Sequence, residues 1–291
     1  MKKIIIYRLL IVVFIVSIVL LINSFIKSYR ADKLYAEARE IYYKNIEEVL
    51  EQELGEEIEE IQEESEATEE ELVEEPSQEE PQEEEEEESQ QEPEQNQQDA
   101  AEEMEPVDIS EFNENVVGWI NINGTNIDYP VVQTDDNEFY LNHNYKGERD
   151  SYGSIYMDFR NVSVERDDNI IIYGHKIRDG SMFSDLAKYT NSDTYKSYFE
   201  NNDTIALDLN GSRTTWEIYS AYVVNLDQEE YYLYTIFKDR EKYLDFLEKS
   251  KKRTLIKKDI EITEDDTVIS LVTCNFWYDN ARVILHGKLV E

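Results

Sequence analysis

The last 186 of the chain's 291 residues predict a mainly β domain with added helices, a closed barrel or sandwich. A membrane-spanning helix and an acidic stalk precede it. Three observations carry this reading. Short strand-like runs separated by turn residues recur from residue 118 onward. A nearly uncharged apolar stretch fills residues 4–26. The acidity is concentrated between these two regions.

Residues 4–26 read as a single transmembrane helix. Between Leu9 and Ile22 there is no charge, and Ser17 is the lone polar residue. Some 23 residues suffice for a ~30 Å hydrocarbon core. Arg8 near one end reaches the headgroups by snorkelling. The competing reading is a cleaved signal peptide, for which Tyr35-Ala-Glu-Ala38 is a weak cleavage site. Basic residues flank both ends (Lys2, Lys3 and Arg8; Lys27, Arg30 and Lys33), so the positive-inside rule gives little preference. The large acidic region downstream favours a cytoplasmic tip at 1–3 and export of everything after the anchor.

The net charge is −39. Residues 37–105 hold 32 Asp/Glu against two Lys/Arg. Spaced apolar residues (Leu34, Ala38, Ile41, Ile46, Val49, Leu50) make 27–62 a candidate juxtamembrane helix, open to self-association but too irregular for a coiled coil. Residues 63–106 are Glu/Gln-rich, with four prolines and the run Glu83–Glu88. Like charges at that density cannot build a core, which predicts a disordered linker. Fully stretched, it would reach at most ~150 Å. Such an acidic balance argues against nucleic acid as a partner.

Residues 107–291 make the globular domain. Residues 108–117 suggest a short helix capped at Ser110. Residues 118–133 alternate apolar and polar around Asn123-Gly124, a hairpin signal. Further strands are predicted at 153–157, 169–173, 204–209, 214–224, 267–274 and 282–290. Two helices interrupt them: 182–189, capped by Ser181, and 235–251, with Ile236, Tyr243, Leu244 and Leu247 at helical spacing.

Cys274 is the chain's single cysteine, at the end of the apolar run Val268-Ile-Ser-Leu-Val-Thr-Cys274. An intramolecular disulfide is therefore excluded. A lone cysteine is often a buried small hydrophobe, but an exported free thiol is also a candidate nucleophile. Attack requires the thiolate, and hence a base or cation nearby. His175 ends the run Ile170-Ile-Ile-Tyr-Gly-His175 and is the preferred acid/base of three histidines. His143 sits among turn residues. His286 lies four strand residues, ~13 Å, from Arg282, too far for both to meet one carbon. Arg282 stays protonated and can donate its fork to an oxyanion; the bland alternative is an ion pair with Asp279. No zinc-type ligand cluster surrounds Cys274, so neither metal nor cofactor is expected.

Tyr173-Gly-His175, Leu271-Val-Thr-Cys274 and Arg282 resemble the signature of the sortases, cysteine transpeptidases of Gram-positive cell surfaces. Longer stretches resemble class B sortases: Val117-Gly-Trp-Ile120, Asn126-Ile-Asp-Tyr-Pro-Val-Val-Gln133, Tyr140-Leu-Asn-His143, Gly153-Ser-Ile-Tyr-Met-Asp158 and Gly180-Ser-Met-Phe183. The resemblance spans the whole globular region in order. It implies an eight-stranded β-barrel with added helices, the 235–251 helix being the one class B members carry. It also implies roles. Cys274 attacks the sorting signal of a surface protein after Thr and forms a thioacyl-enzyme. His175 moves the protons, Arg282 supports the oxyanion, and a peptidoglycan precursor amine accepts the acyl group. Val272 departs from the small polar residue common two places before the cysteine. Two other readings remain open on the residues alone: a cysteine peptidase that only hydrolyses, and a non-catalytic surface-display binding module.

Overall fold

The computed structural model describes residues 2–71, 109, 112–256, 258–275 and 280–290. The predicted acidic linker at 63–106 lies outside these from residue 72 on, as do the Ser110 cap and Asp279. The chain forms two compact units, one of residues 1–45 with 106–291 and one of residues 46–105.

Eight strands close into a barrel: β1 (Val116–Asn121), β2 (Asp128–Val132), β3 (Ile155–Met157), β4 (Asn169–Tyr173), β5 (Thr204–Leu209), β6 (Ser212–Asn225), β7 (Val268–Asn275) and β8 (Ala281–Leu289). Their order around the barrel is β1-β2-β3-β4-β7-β8-β6-β5. The Asn123-Gly124 hairpin forms as predicted, with Gly124 at φ 75° and Ile122 N–H donating to the Ile127 carbonyl at 2.9 Å. Only two neighbouring pairs, β2 with β3 and β4 with β7, are parallel. Closure leaves no free edge to template aggregation.

Three local predictions need correction. Residues 112–117 are not helical: turns close from Phe112 to Ile109 and from Val116 to Asn113, and Val116 already enters β1. β-Branched Val116 and Val117 gain more from the sheet than from a short, costly helix nucleus. The 182–189 segment is a 3₁₀ helix, Phe183–Thr190. Met182 at φ 56° precedes it, and Ser181 bonds back to Asp179 instead of capping. The predicted 235–251 helix begins later, as α3 (Arg240–Arg253), because Asp239 is its cap and accepts from Glu241 N–H at 3.1 Å. Among the described residues the pattern did not announce helix α2 (Tyr195–Asn201) or the short 3₁₀ turn Phe139–Leu141.

The N-terminal helix α1 (Lys2–Glu71) contains a stretch long and apolar enough to cross a membrane. Beyond it, Ala31, Tyr35, Ala38, Tyr42 and Asn45 are buried, at alternating spacings of four and three, which puts them on one helix face. That face packs on the barrel. Tyr42 stacks on Trp119 with ring centroids 4.2 Å apart, and its phenol bonds Asp208, which Arg213 also pairs at 2.8 Å. Tyr35 meets Tyr129 edge-on at 5.1 Å and Tyr145 at 5.7 Å. Of the apolar residues read as a possible self-association stripe, Ala38 is buried in this contact, while Leu34 and Ile41 are half-buried beside it. Two alanines let the backbone approach, and tyrosines supply the area.

Candidate active site

Tyr173 and Val272 are partners in the parallel β4–β7 pair, and Gly174 N–H continues the ladder to the Val272 carbonyl at 3.1 Å. Both strands therefore run toward the same end of the barrel. His175 follows β4 there, and Cys274 lies two residues beyond Val272. On the other side of β7, Cys274 and Arg282 are direct cross-strand partners, between Thr273–Val283 and Asn275–Ala281. The three residues singled out by sequence are thus carried at one end of three adjacent strands: His175 two residues past β4, Cys274 on β7 and Arg282 on β8. Strands lie ~4.8 Å apart. The parallel pairing is what brings a β4 residue to the cysteine's end.

The surroundings of His175 are well defined. Its Nε2 lies 2.7 Å from the Leu141 carbonyl oxygen. A carbonyl only accepts, so Nε2 carries a proton. Gly153, at φ 62°, abuts the ring: a Cβ there would lie 3.0 Å from His175 Cδ2 and 2.7 Å from the Tyr140 carbonyl. Gly174 is equally confined, since a Cβ would fall 2.4 Å from Ile155 Cδ1. After His175 the chain turns back, and Phe183 N–H donates to the His175 carbonyl at 2.9 Å.

Arg282 is half-buried and its guanidinium donates to the Ala281 carbonyl at 3.1 Å. Below the site, Ile171, Tyr222, Val224, Val272 and Ile284 form an apolar floor, so the departure at Val272 fills a hydrophobic layer. Tyr173 donates to Asp158 at 3.0 Å, and burial beside that carboxylate pushes its phenol well up. A cavity of about 700 Å³ lies beside α3, lined by Tyr222, Tyr231, Tyr234, Phe246 and Arg253 among others. Neither His175 nor Arg282 lines it.

The other two histidines are structural. His143 Nδ1 lies 2.7 Å from the Phe139 carbonyl, and its ring stacks on Phe139 at 4.0 Å. His286 is fully buried between Tyr222 and Ser270, and desolvation pulls its pKa down to about 3. Among the described residues no group of three His, Cys, Asp or Glu could hold a metal.

The sortase-domain family profile matches residues 120–290, more than half of the chain. The chain belongs to the sortase family. Similar curated sortases are of class B. Sortase B of Listeria monocytogenes is 37% identical over 185 residues, covering 63% of this chain and 73% of that protein. Sortase B of Staphylococcus aureus is 31% identical over the same share of each. Among solved sortases, the crystal structure of Clostridium perfringens sortase B superposes with a TM-score of 0.57 at 35% identity, over 62% of this chain and 96% of that one. A Staphylococcus aureus sortase B–substrate complex gives 0.57 at 31%, over 62% and 82%. The eight-stranded barrel is the sortase fold, and membership indicates a cysteine transpeptidase.

Sequence reasoning missed Leu141 and Gly153 as neighbours of His175, and Tyr35 as a partner of Gly153. Gly153 had a local signal, a glycine in the turn before a strand. The contribution of Tyr35 was visible only as a stripe of Ala and Tyr at helical spacing.

Proposed function

We propose that the chain is a membrane-anchored class B sortase in which Cys274, His175 and Arg282 are the catalytic residues. Cys274 thiolate attacks the carbonyl carbon of Thr in the sorting signal of a surface protein. The carbonyl oxygen takes up the negative charge, and the Arg282 fork donates to it. Protonated His175 gives its Nδ1 proton to the leaving amine as the C–N bond breaks, leaving a thioester on Cys274. An amine of a peptidoglycan precursor then attacks the thioester. His175 takes its proton back, and the thiolate departs. The observation supporting this reading is the strand register: β4 parallel to β7, with Cys274 opposite Arg282 on β8.

The domain layout follows: a cytoplasmic tip at 1–3, an anchor at 4–26, a helix continuing from 27, the acidic linker at 63–106 and the catalytic domain at 107–291. The N-terminus faces the cytoplasm and the barrel faces outward. The acidic linker is a solvated spacer.

The test uses the full-length protein in detergent with quenched peptides carrying Asn-Pro-x-Thr-Asn or Ser/Pro-Pro-x-Thr-Gly, with and without an added amine. Cleavage after Thr, an amide product with the amine, and loss of both in Cys274→Ala are expected. Cleavage without amide formation would favour a hydrolytic peptidase. No cleavage, with Cys274 inert to thiol probes, would favour a binding module.

A further inference from the structure

The two loops that wall His175 are both tied to the N-terminal helix. The Tyr35 phenol donates to the Gly153 carbonyl at 3.0 Å. Gly153 is the residue whose α-carbon abuts the His175 ring. On the other flank, the loop following His175 carries Asp179, which accepts from Ser28 Oγ at 2.9 Å and from the Tyr152 phenol. Burial alone would raise the Asp179 pKa, but its hydrogen bonds from Ser181, Tyr152 and Ser28 outweigh it and hold the carboxyl below its usual range. It is thus an anion that keeps these donors. Tyr35 is itself buried, and its ring neighbour Tyr129 accepts from Met182 N–H at 3.0 Å. Met182 pairs with Lys176, the residue after His175. Two of these hydrogen bonds, Tyr35 to Gly153 and Ser28 to Asp179, start on residues 28–35 of the anchor helix, and the others link the segments they reach.

We propose that Tyr35, assisted by Ser28, is a positioning residue for His175, so that the anchor helix completes the catalytic site rather than merely tethering it. The inference rests on the transpeptidase reading above. Tyr35 touches no reacting group. It holds the Gly153 turn against the imidazole, which keeps Nε2 on the Leu141 carbonyl and Nδ1 directed for proton transfer. Small losses of such alignment lower the chemical step more than binding.

The experiment compares full-length wild type with Tyr35→Phe, Tyr35→Phe/Ser28→Ala and Tyr42→Phe. Tyr42 is on the same helix face but bonds Asp208, away from His175, so its variant controls for loosened docking. Each variant keeps its ring, and thermal melts establish folding. Two readouts are taken: peptide turnover, and the ¹³C-histidine NMR titration of His175, assigned with His175→Asn. Tyr35→Phe should lower kcat about three- to tenfold with KM within about twofold. It should also displace the His175 titration midpoint, the double variant further, while Tyr42→Phe moves neither. Wild-type kcat and titration in the double variant would overturn the proposal. So would an equal effect from Tyr42→Phe. If wild type turns over no peptide, the transpeptidase reading fails, and the titration still decides whether Tyr35 positions His175.

Discussion

The Tyr222 phenol lies 2.8 Å from His286 Nε2, inside the layer between β6, β8 and α3. On the ring's other side, Nδ1 lies 2.9 Å from Ser270 Oγ, and that hydroxyl donates onward to Asn169 Oδ1 at 2.8 Å. Ser270 therefore accepts from Nδ1–H, and Nε2 accepts from Tyr222. Both nitrogens of a neutral imidazole are satisfied, and the ring serves as a hydrogen-bonded bridge with no room for a proton more.

This makes stability pH-dependent. Burial lowers the folded pKa of His286 to about 3, whereas the unfolded chain titrates near 6.5. The unfolded state therefore binds more protons between these values. The contribution of the neutral ring is fully present above pH 6.5 and is lost as pH falls toward 3, up to roughly 5 kcal/mol. Melting temperatures at pH 7 and 4.5 should differ widely in wild type and much less in His286→Gln. Equal differences in the two proteins would reject this account.

The helix–barrel contact leaves no space at Ala38, which is fully buried. Ala38→Glu places an unpaired carboxylate in that interface, and the helix should release from the barrel rather than bury it. Trp119, only 1% exposed beneath Tyr42, would then meet solvent. Acrylamide quenching of tryptophan fluorescence should rise in Ala38→Glu, with a fall in stability of about 2–4 kcal/mol. Unchanged quenching would mean the helix stays docked.

Gly118 sits where β1 crosses β5. A Cβ there would fall 1.9 Å from the Asp208 carbonyl oxygen, a backbone atom that cannot step aside. Gly118→Ala should therefore separate the two strands and cost about 3 kcal/mol or more, read by urea denaturation. A loss under ~1 kcal/mol would show that the barrel yields more readily than its register implies.

Arg282→Lys keeps the charge opposite Cys274 but removes the planar fork. Loss of oxyanion donation predicts a fall of about 10²-fold in kcat with an unchanged melting temperature. Wild-type turnover in this variant would return Arg282 to the role of a surface cation.

Local chemistry made most of the barrel legible. Residues 169–173 were predicted as a strand and are β4 at those bounds. The Asn123-Gly124 turn closes the expected hairpin, since alternation and turn residues act over a few neighbours. The cysteine and the histidine drew attention because each ends an apolar run. What the sequence by itself could not supply was partnership. That β4 runs parallel to β7, which brings His175 to the end of the barrel where Cys274 and Arg282 pair, is a long-range choice made by closure of the whole sheet. The same holds for Tyr35. Its stripe of Ala and Tyr is plain on the helix, but only the barrel shows that it reaches the turn behind His175. Distances of this kind arise from packing between segments about a hundred residues apart, for which no local pattern exists.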